Sequence, residues 1–149
     1  MDPQPTDIAL IARSIQLSLA PVFLLSGIGV LLGVLTNRLA RVVDRARPLE
    51  ERLATATTES AREIRAQLSL FARRARLMNA AITFSTVSAL LVALVVALLF
   101  MSAFVKFNLA VAVSVLFVLA MIALVVALIA FLLEIRVATT ALRIGPRTP

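Results

Sequence analysis

The run Pro21–Arg47, PVFLLSGIGVLLGVLTNRLARVVDRAR, changes character at its middle. Up to Asn37 it carries no charge; from Arg38 it reads Arg38, Arg41, Asp44, Arg45 and Arg47. Apolar residues nevertheless keep helical steps beyond the change, at Leu39, Val42 and Ala46. One helix is therefore expected to leave a membrane and continue into water without a break.

Working outward, 24 residues separate Arg13 from Arg38 without a formal charge, 29 separate Arg76 from Lys106, and 27 separate Lys106 from Glu134. About 20 apolar residues cross some 30 Å of hydrocarbon as a helix. A chain of 149 residues cannot supply the shell that would bury three such helices in a soluble protein. The hydrophobic fraction, 61%, is correspondingly high for a globular domain. The expected fold is all-α: an integral membrane protein with three transmembrane helices and a cytoplasmic antiparallel helical hairpin, a coiled coil, between the first and second. The expected layout is a single membrane domain. It has an external N-terminus at 1–13, spans at 14–37, 77–105 and 107–133, the hairpin at 38–76, and a tail at 134–149.

Orientation follows from charge. The segment Arg38–Arg76 holds ten arginines and five acids, and Arg136, Arg143 and Arg147 lie in the tail. The opposite side has Asp2, Asp7, Arg13 and, in the second loop, Lys106. Short Lys/Arg-rich loops stay in the cytoplasm, which places the N-terminus outside and the C-terminus inside. The acidic residues near the N-terminus and the length of the first apolar block argue against a cleavable signal. Tryptophan and tyrosine are absent, so Phe100, Phe104 and Phe107 are expected to anchor the outer interface near Lys106.

The hairpin has one apolar stripe per arm: Leu39, Val42, Ala46, Leu49, Leu53 and Ala56, then Ala61, Ile64, Leu68, Phe71, Ala75 and Met78. Ala54–Thr58 loses helix propensity, so the turn is expected near Thr57, with Ser60 and Glu63 forming a capping box. Pro48 should kink or restart the outgoing arm. Local pairs are expected between Asp44 and Arg41 or Arg47, and between Glu59 and Arg62. Arg38 and Arg73, Arg74 and Arg76 would attract anionic headgroups of the bilayer, the expected partner. With a net charge of five and no aromatic platform, the segment is not expected to bind nucleic acid.

Within the membrane the first span carries the most polar stripe, Ser26, Gly29, Gly33 and Asn37, which continues through Arg41, Asp44 and Arg45 at the inner mouth. Gly29 and Gly33 have the four-residue spacing that lets another helix approach closely. The stripe therefore reads as a packing seam or as the wall of a narrow path in an oligomer. Pro21 should kink this helix and free a carbonyl that Ser18 or a neighbour could satisfy. The second span repeats small residues at Ala81, Ser85, Ala89, Ala93 and Ala97, and the third at Ala120, Ala123, Ala127 and Ala130, ending at Glu134. Asn79 and Thr83 could pair with Asn37 or Asp44, and Glu134 with Arg136 or an arginine of the hairpin.

Cysteine and histidine are absent, which excludes thiol nucleophiles, disulfides, Cys/His metal sites and imidazole catalysis. No ionisable residue lies inside a span, which argues against a proton-driven carrier. No carboxylate pair or nucleophile–base pair is available, so neither an enzyme nor a cofactor is expected.

Residues 15–47, IQLSLAPVFLLSGIGVLLGVLTNRLARVVDRAR, resemble a family of short bacterial membrane proteins defined only as a domain of unknown function, family 2721. The likeness in layout extends from near residue 8 to about residue 142, and its most specific part begins at Pro21. It implies a multi-pass protein of the bacterial cytoplasmic membrane and no activity or site. The plan of one span, a cytoplasmic coiled-coil hairpin and two linked spans is also similar to that of small Oxa1-type insertases. Those expose a hydrophilic groove, whereas the spans here offer few polar groups. Three readings follow. The leading one is a homo-oligomer with an ion-permeable or regulated pore; the others are an insertase-like assembly factor, and a structural or regulatory subunit of another membrane complex.

Overall fold

A computed structural model describes residues 5–102 and 109–142. They form three helices: α1 (Pro5–Thr55), α2 (Thr58–Ser102) and α3 (Ala110–Leu142). Each is long and apolar enough to cross a membrane. At 1.5 Å per residue, the 51 residues of α1 extend roughly 75 Å, more than twice the hydrocarbon thickness. The transition at Arg38 lies within this unbroken helix, as its apolar stepping predicts. The expected turn at Lys106, with Phe104 and Phe107, lies outside the described residues, as do Asp2, Arg143 and Arg147.

The link between α1 and α2 is Ala56–Thr57. Thr57 begins the second helix: its carbonyl accepts from the Ala61 amide at 2.8 Å and from the Ser60 hydroxyl at 3.1 Å. The Thr57 and Ser60 hydroxyls also bond each other at 2.8 Å. Arg52 closes α1 and Glu59 opens α2, each with the sign that the helix dipole favours. The capping box expected at Ser60 and Glu63 is not formed, because α2 starts at Thr58 and Ser60 is already inside its first turn. Thr57, three residues earlier, holds the cap position, its carbonyl accepting the first bond of the helix. Pro48 does not restart α1 either. Proline removes one donor from the ladder, and the turns on both sides continue past it.

All the predicted hairpin stripe residues, from Leu39 to Ala56 and from Ala61 to Met78, are buried or half-buried. Val42 and Ala46 share a groove of about 370 Å³ with Leu68, Phe71 and Ala75, so α2 returns alongside α1. The expected surface pairs are not made: among the described residues, Asp44 bridges neither Arg41 nor Arg47, and Glu59 does not bridge Arg62. Exposed pairs of this kind gain little in water.

The chain divides into two compact units, residues 1–32 with 84–125, and 33–83 with 126–149. In the first, Ile28 of α1, Val92 of α2 and Ala120 of α3 form the core, flanked by Leu24, Leu25, Leu32, Ala89, Leu91 and Leu124. The Ser88 hydroxyl donates to the Ala120 carbonyl at 2.8 Å, joining α2 to α3. Such a bond requires backbone approach, which the single methyl of Ala120 permits. Ser85 is also buried here, and among the described residues its hydroxyl has no hydrogen-bond partner. Ser18 turns its hydroxyl to the Ile15 carbonyl at 2.9 Å, not to the carbonyl that Pro21 leaves free. In the second unit the buried residues include Leu35 and Val42 of α1, Met78 and Ala81 of α2, and Ala127, Ala130 and Glu134 of α3.

The alanine ladder of α3 is fully the buried face: Ala120, Ala123, Ala127 and Ala130 lead to Glu134 in steps of three and four. That of α2 is only partly so. Ala81 and Ser85 are buried and Ala89 is half-buried, but Ala93 and Ala97 are exposed. The buried face of α2 instead runs Met78, Ala81, Ser85, Ser88, Val92 and Val95. Steps of four alone drift about 40° each around a helix, whereas alternation of three and four holds one face.

If close approach at Ala120 holds the first unit together, Ala120→Leu should destabilise the protein by about 1–3 kcal/mol. Ala93→Leu, on the exposed face of α2, should leave stability unchanged. Reversible unfolding in bicelles distinguishes the two.

Candidate functional site: an arginine–glutamate cluster and its basic groove

The one carboxylate of α3 is Glu134, and it is completely buried. It follows Ala130 by four residues and so falls on the same packed face. An unpaired carboxylate there would cost several kcal/mol. Two arginines meet it. Arg38 of α1 places Nη2 2.8 Å from Oε2. Arg74 of α2 donates to Oε1 from Nη2 at 2.8 Å and from Nε at 3.1 Å. Both carboxylate oxygens are thus satisfied by charge-assisted bonds. The Arg38 guanidinium also lies 5.3 Å from the centre of the Phe131 ring, one turn before Glu134. α3 therefore presents a ring and a carboxylate to the same cation.

The register of the helices explains the meeting. Arg38 follows Leu35 by three and precedes Val42 by four, and both neighbours are buried. Arg74 stands likewise between half-buried Phe71 and buried Met78. Glu134 was expected to pair with Arg136 or a hairpin arginine; Arg38 and Arg74 are its partners. Arg38 and Arg74 turn toward Glu134, whereas Arg73 and Arg76 are exposed.

Beside the cluster is a groove of about 350 Å³, to which Arg38, Arg41, Arg45 and Arg74 contribute. Of the expected inner-mouth charges, Arg41 and Arg45 are exposed and line it; Asp44 is exposed and does not. The structure does not bring Asn79 to Asn37 or Asp44. The Thr83 hydroxyl instead donates to the Asn79 carbonyl of its own helix at 2.9 Å.

The stripe Ser26, Gly29, Gly33 and Asn37 is exposed at all four positions. It lies on nearly the opposite face of α1 from Ile28, Leu35 and Val42, which the chain packs inward. A methyl group built on Gly29 or Gly33 would meet nothing within 4 Å. Ser26 bonds the Val22 carbonyl of its own helix at 3.2 Å. Among the described residues no three His, Cys, Asp or Glu side chains gather as metal ligands would.

A family model described as a protein of unknown function, DUF2721, matches residues 18–144. The chain belongs to that family. The match covers α1 from Ser18 together with α2 and α3, and contains the Arg38–Arg74–Glu134 cluster, the groove and the exposed stripe. No curated protein and no solved structure matches the chain.

Removing either side of the cluster should have unequal effects. Glu134→Ala leaves two guanidinium groups facing each other and should cost about 3 kcal/mol. Arg38→Ala should cost less, since Arg74 still satisfies Oε1. Adding Arg38→Ala to Glu134→Ala should then change stability less than it does in the parent protein. Thermal unfolding of the three variants in one detergent measures this coupling.

Proposed function

We propose that this protein is a homo-oligomeric subunit of the bacterial cytoplasmic membrane, and that its first helices meet around an axis through Ser26, Gly29, Gly33 and Asn37 to form an ion-permeable path. The observation that carries the reading is the exposure of this whole stripe, with open space at both glycines. Small residues promote helix association in lipid by allowing backbones to approach, and α1 makes no use of these four for packing within its own chain. The apolar core of the first unit supports a path between copies over one through a single chain. The extensions of α1 and α2 around the Ala56–Thr57 link are read as a cytoplasmic antiparallel coiled coil, supported by their basic charge and alternating buried stripes.

The insertase-like alternative needs a polar groove among the spans, and the residues of that core do not favour it. A structural or regulatory subunit would use the same exposed stripe against a different chain.

Gly29→Leu and Gly33→Leu test the oligomer. Both should leave the fold of each chain unchanged, because the added side chains meet open space, yet lower the mass of the detergent-solubilised particle. Light scattering reads the mass and circular dichroism the fold; a parent protein that is itself monomeric would sink the proposal. Liposome ion-flux assays of the parent then test permeation. For orientation, the absence of cysteine permits labelling without background: Thr57→Cys should react with an impermeant maleimide in inside-out vesicles and not in intact cells.

A further inference from the structure

Four arginines line the groove beside Glu134, three of them on one face of α1 at Arg38, Arg41 and Arg45, and the fourth, Arg74, on α2. Glu134 compensates a single charge and is taken up by Arg38 and Arg74. Arg41 and Arg45 are exposed, and among the described residues neither has an ion-pair partner. The groove thus carries an excess of positive charge that no side chain of its own lining offsets.

Its place along the helix narrows the ligand. Arg38 is the first charge after 24 uncharged residues, so the groove begins where the apolar block ends. Val34 and Met78 also line it. Arg45 stands about 10 Å along the axis from Arg38. A ligand seated here would meet Val34 and Met78 toward the apolar blocks and, beyond them, guanidinium groups interleaved with Val42. A volume of about 350 Å³ admits a headgroup rather than a single ion.

We propose that this groove is a binding site for an anionic phospholipid, with its phosphate held by Arg41 and Arg45 and its glycerol and upper acyl chain against Val34 and Met78. The Glu134 cluster holds Arg38 and Arg74 in place beside it. Guanidinium groups suit phosphate oxygens because their donors are paired and planar. A lipid carrying two phosphates matches the excess charge better than one carrying a single phosphate. This site is on a different part of α1 from the stripe through which the oligomer is proposed to form, and binding can be measured on particles of any size.

The test is native mass spectrometry of the full chain in detergent, with added cardiolipin, phosphatidylglycerol or zwitterionic phosphatidylethanolamine. Cardiolipin should bind best and phosphatidylethanolamine least. Arg41→Gln with Arg45→Gln should weaken cardiolipin binding by roughly tenfold or more. Arg62→Gln with Arg65→Gln removes the same charge from exposed positions of α2 and should change binding little. Circular dichroism on the same samples verifies that both variants are folded. Equal losses in the two variants would reduce the effect to net charge and overturn the site. Equal binding of cardiolipin and phosphatidylethanolamine would also overturn it. Displacement of cardiolipin by excess inorganic phosphate would assign the groove to a small free anion and reject the lipid.

Discussion

The contact between Glu134 and the two arginines Arg38 and Arg74 supplies what the apolar packing around it lacks. The alanine ladder of α3 repeats itself: Ala120 and Ala127 are seven residues apart, as are Ala123 and Ala130. Sliding α3 by seven residues would superpose much of that ladder on itself at little cost. No such slide preserves the contact, because α3 has no second carboxylate on that face. A buried polar group that is satisfied in only one register specifies that register, even where its net contribution to stability is modest. The arrangement of α1, α2 and α3 within the second unit therefore depends on one carboxylate meeting two guanidinium groups.

Around that contact the helices follow the rule for packing in lipid, where burying more apolar surface gains little and close approach matters most. Ala81, Ala120, Ala123, Ala127 and Ala130 are buried where larger side chains would hold the backbones apart. The Ser88 bond to the Ala120 carbonyl is one result of that approach. Other hydroxyls, including those of Ser26, Thr83 and Ser114, bond carbonyls of their own helices. A hydroxyl satisfied in this way can face hydrocarbon or a neighbour without an orphaned donor.

Much of this was legible in the residues because charge and periodicity are local signals. The uncharged blocks mark the helices that can span, and the stripe from Leu39 to Met78 marks which faces of α1 and α2 are covered. Thr57 marks the link because threonines weaken a helix on both sides of it. The cap at Thr57 was harder to read, since Ser60 and Glu63 satisfy the same spacing and only the backbone decides where the first turn begins. Pro48 does not end α1, because one missing donor is a local loss and the helix continues on both sides of it. Choosing Arg38 and Arg74 from ten hairpin arginines required extending the buried stripes through charged positions. Both fall in the step between buried or half-buried apolar neighbours, a signal that treating every arginine as surface conceals.

The packed faces also decide where function can reside. Ile28, Val92 and Ala120 close the packed face of the first unit, and the polar groups buried there are serine hydroxyls, with Ser88 already bonded. Among the described residues that face has no ring of polar groups with which to replace the hydration of an ion, as a selectivity filter does. The polar surface of the first span lies instead on the outward side of α1, from Ser26 to Asn37. A function carried by that surface needs something outside the chain to complete it, because a single exposed stripe in lipid encloses nothing. That need for a partner, which we propose a second copy meets, is a consequence of which face of α1 the chain covers with its own residues.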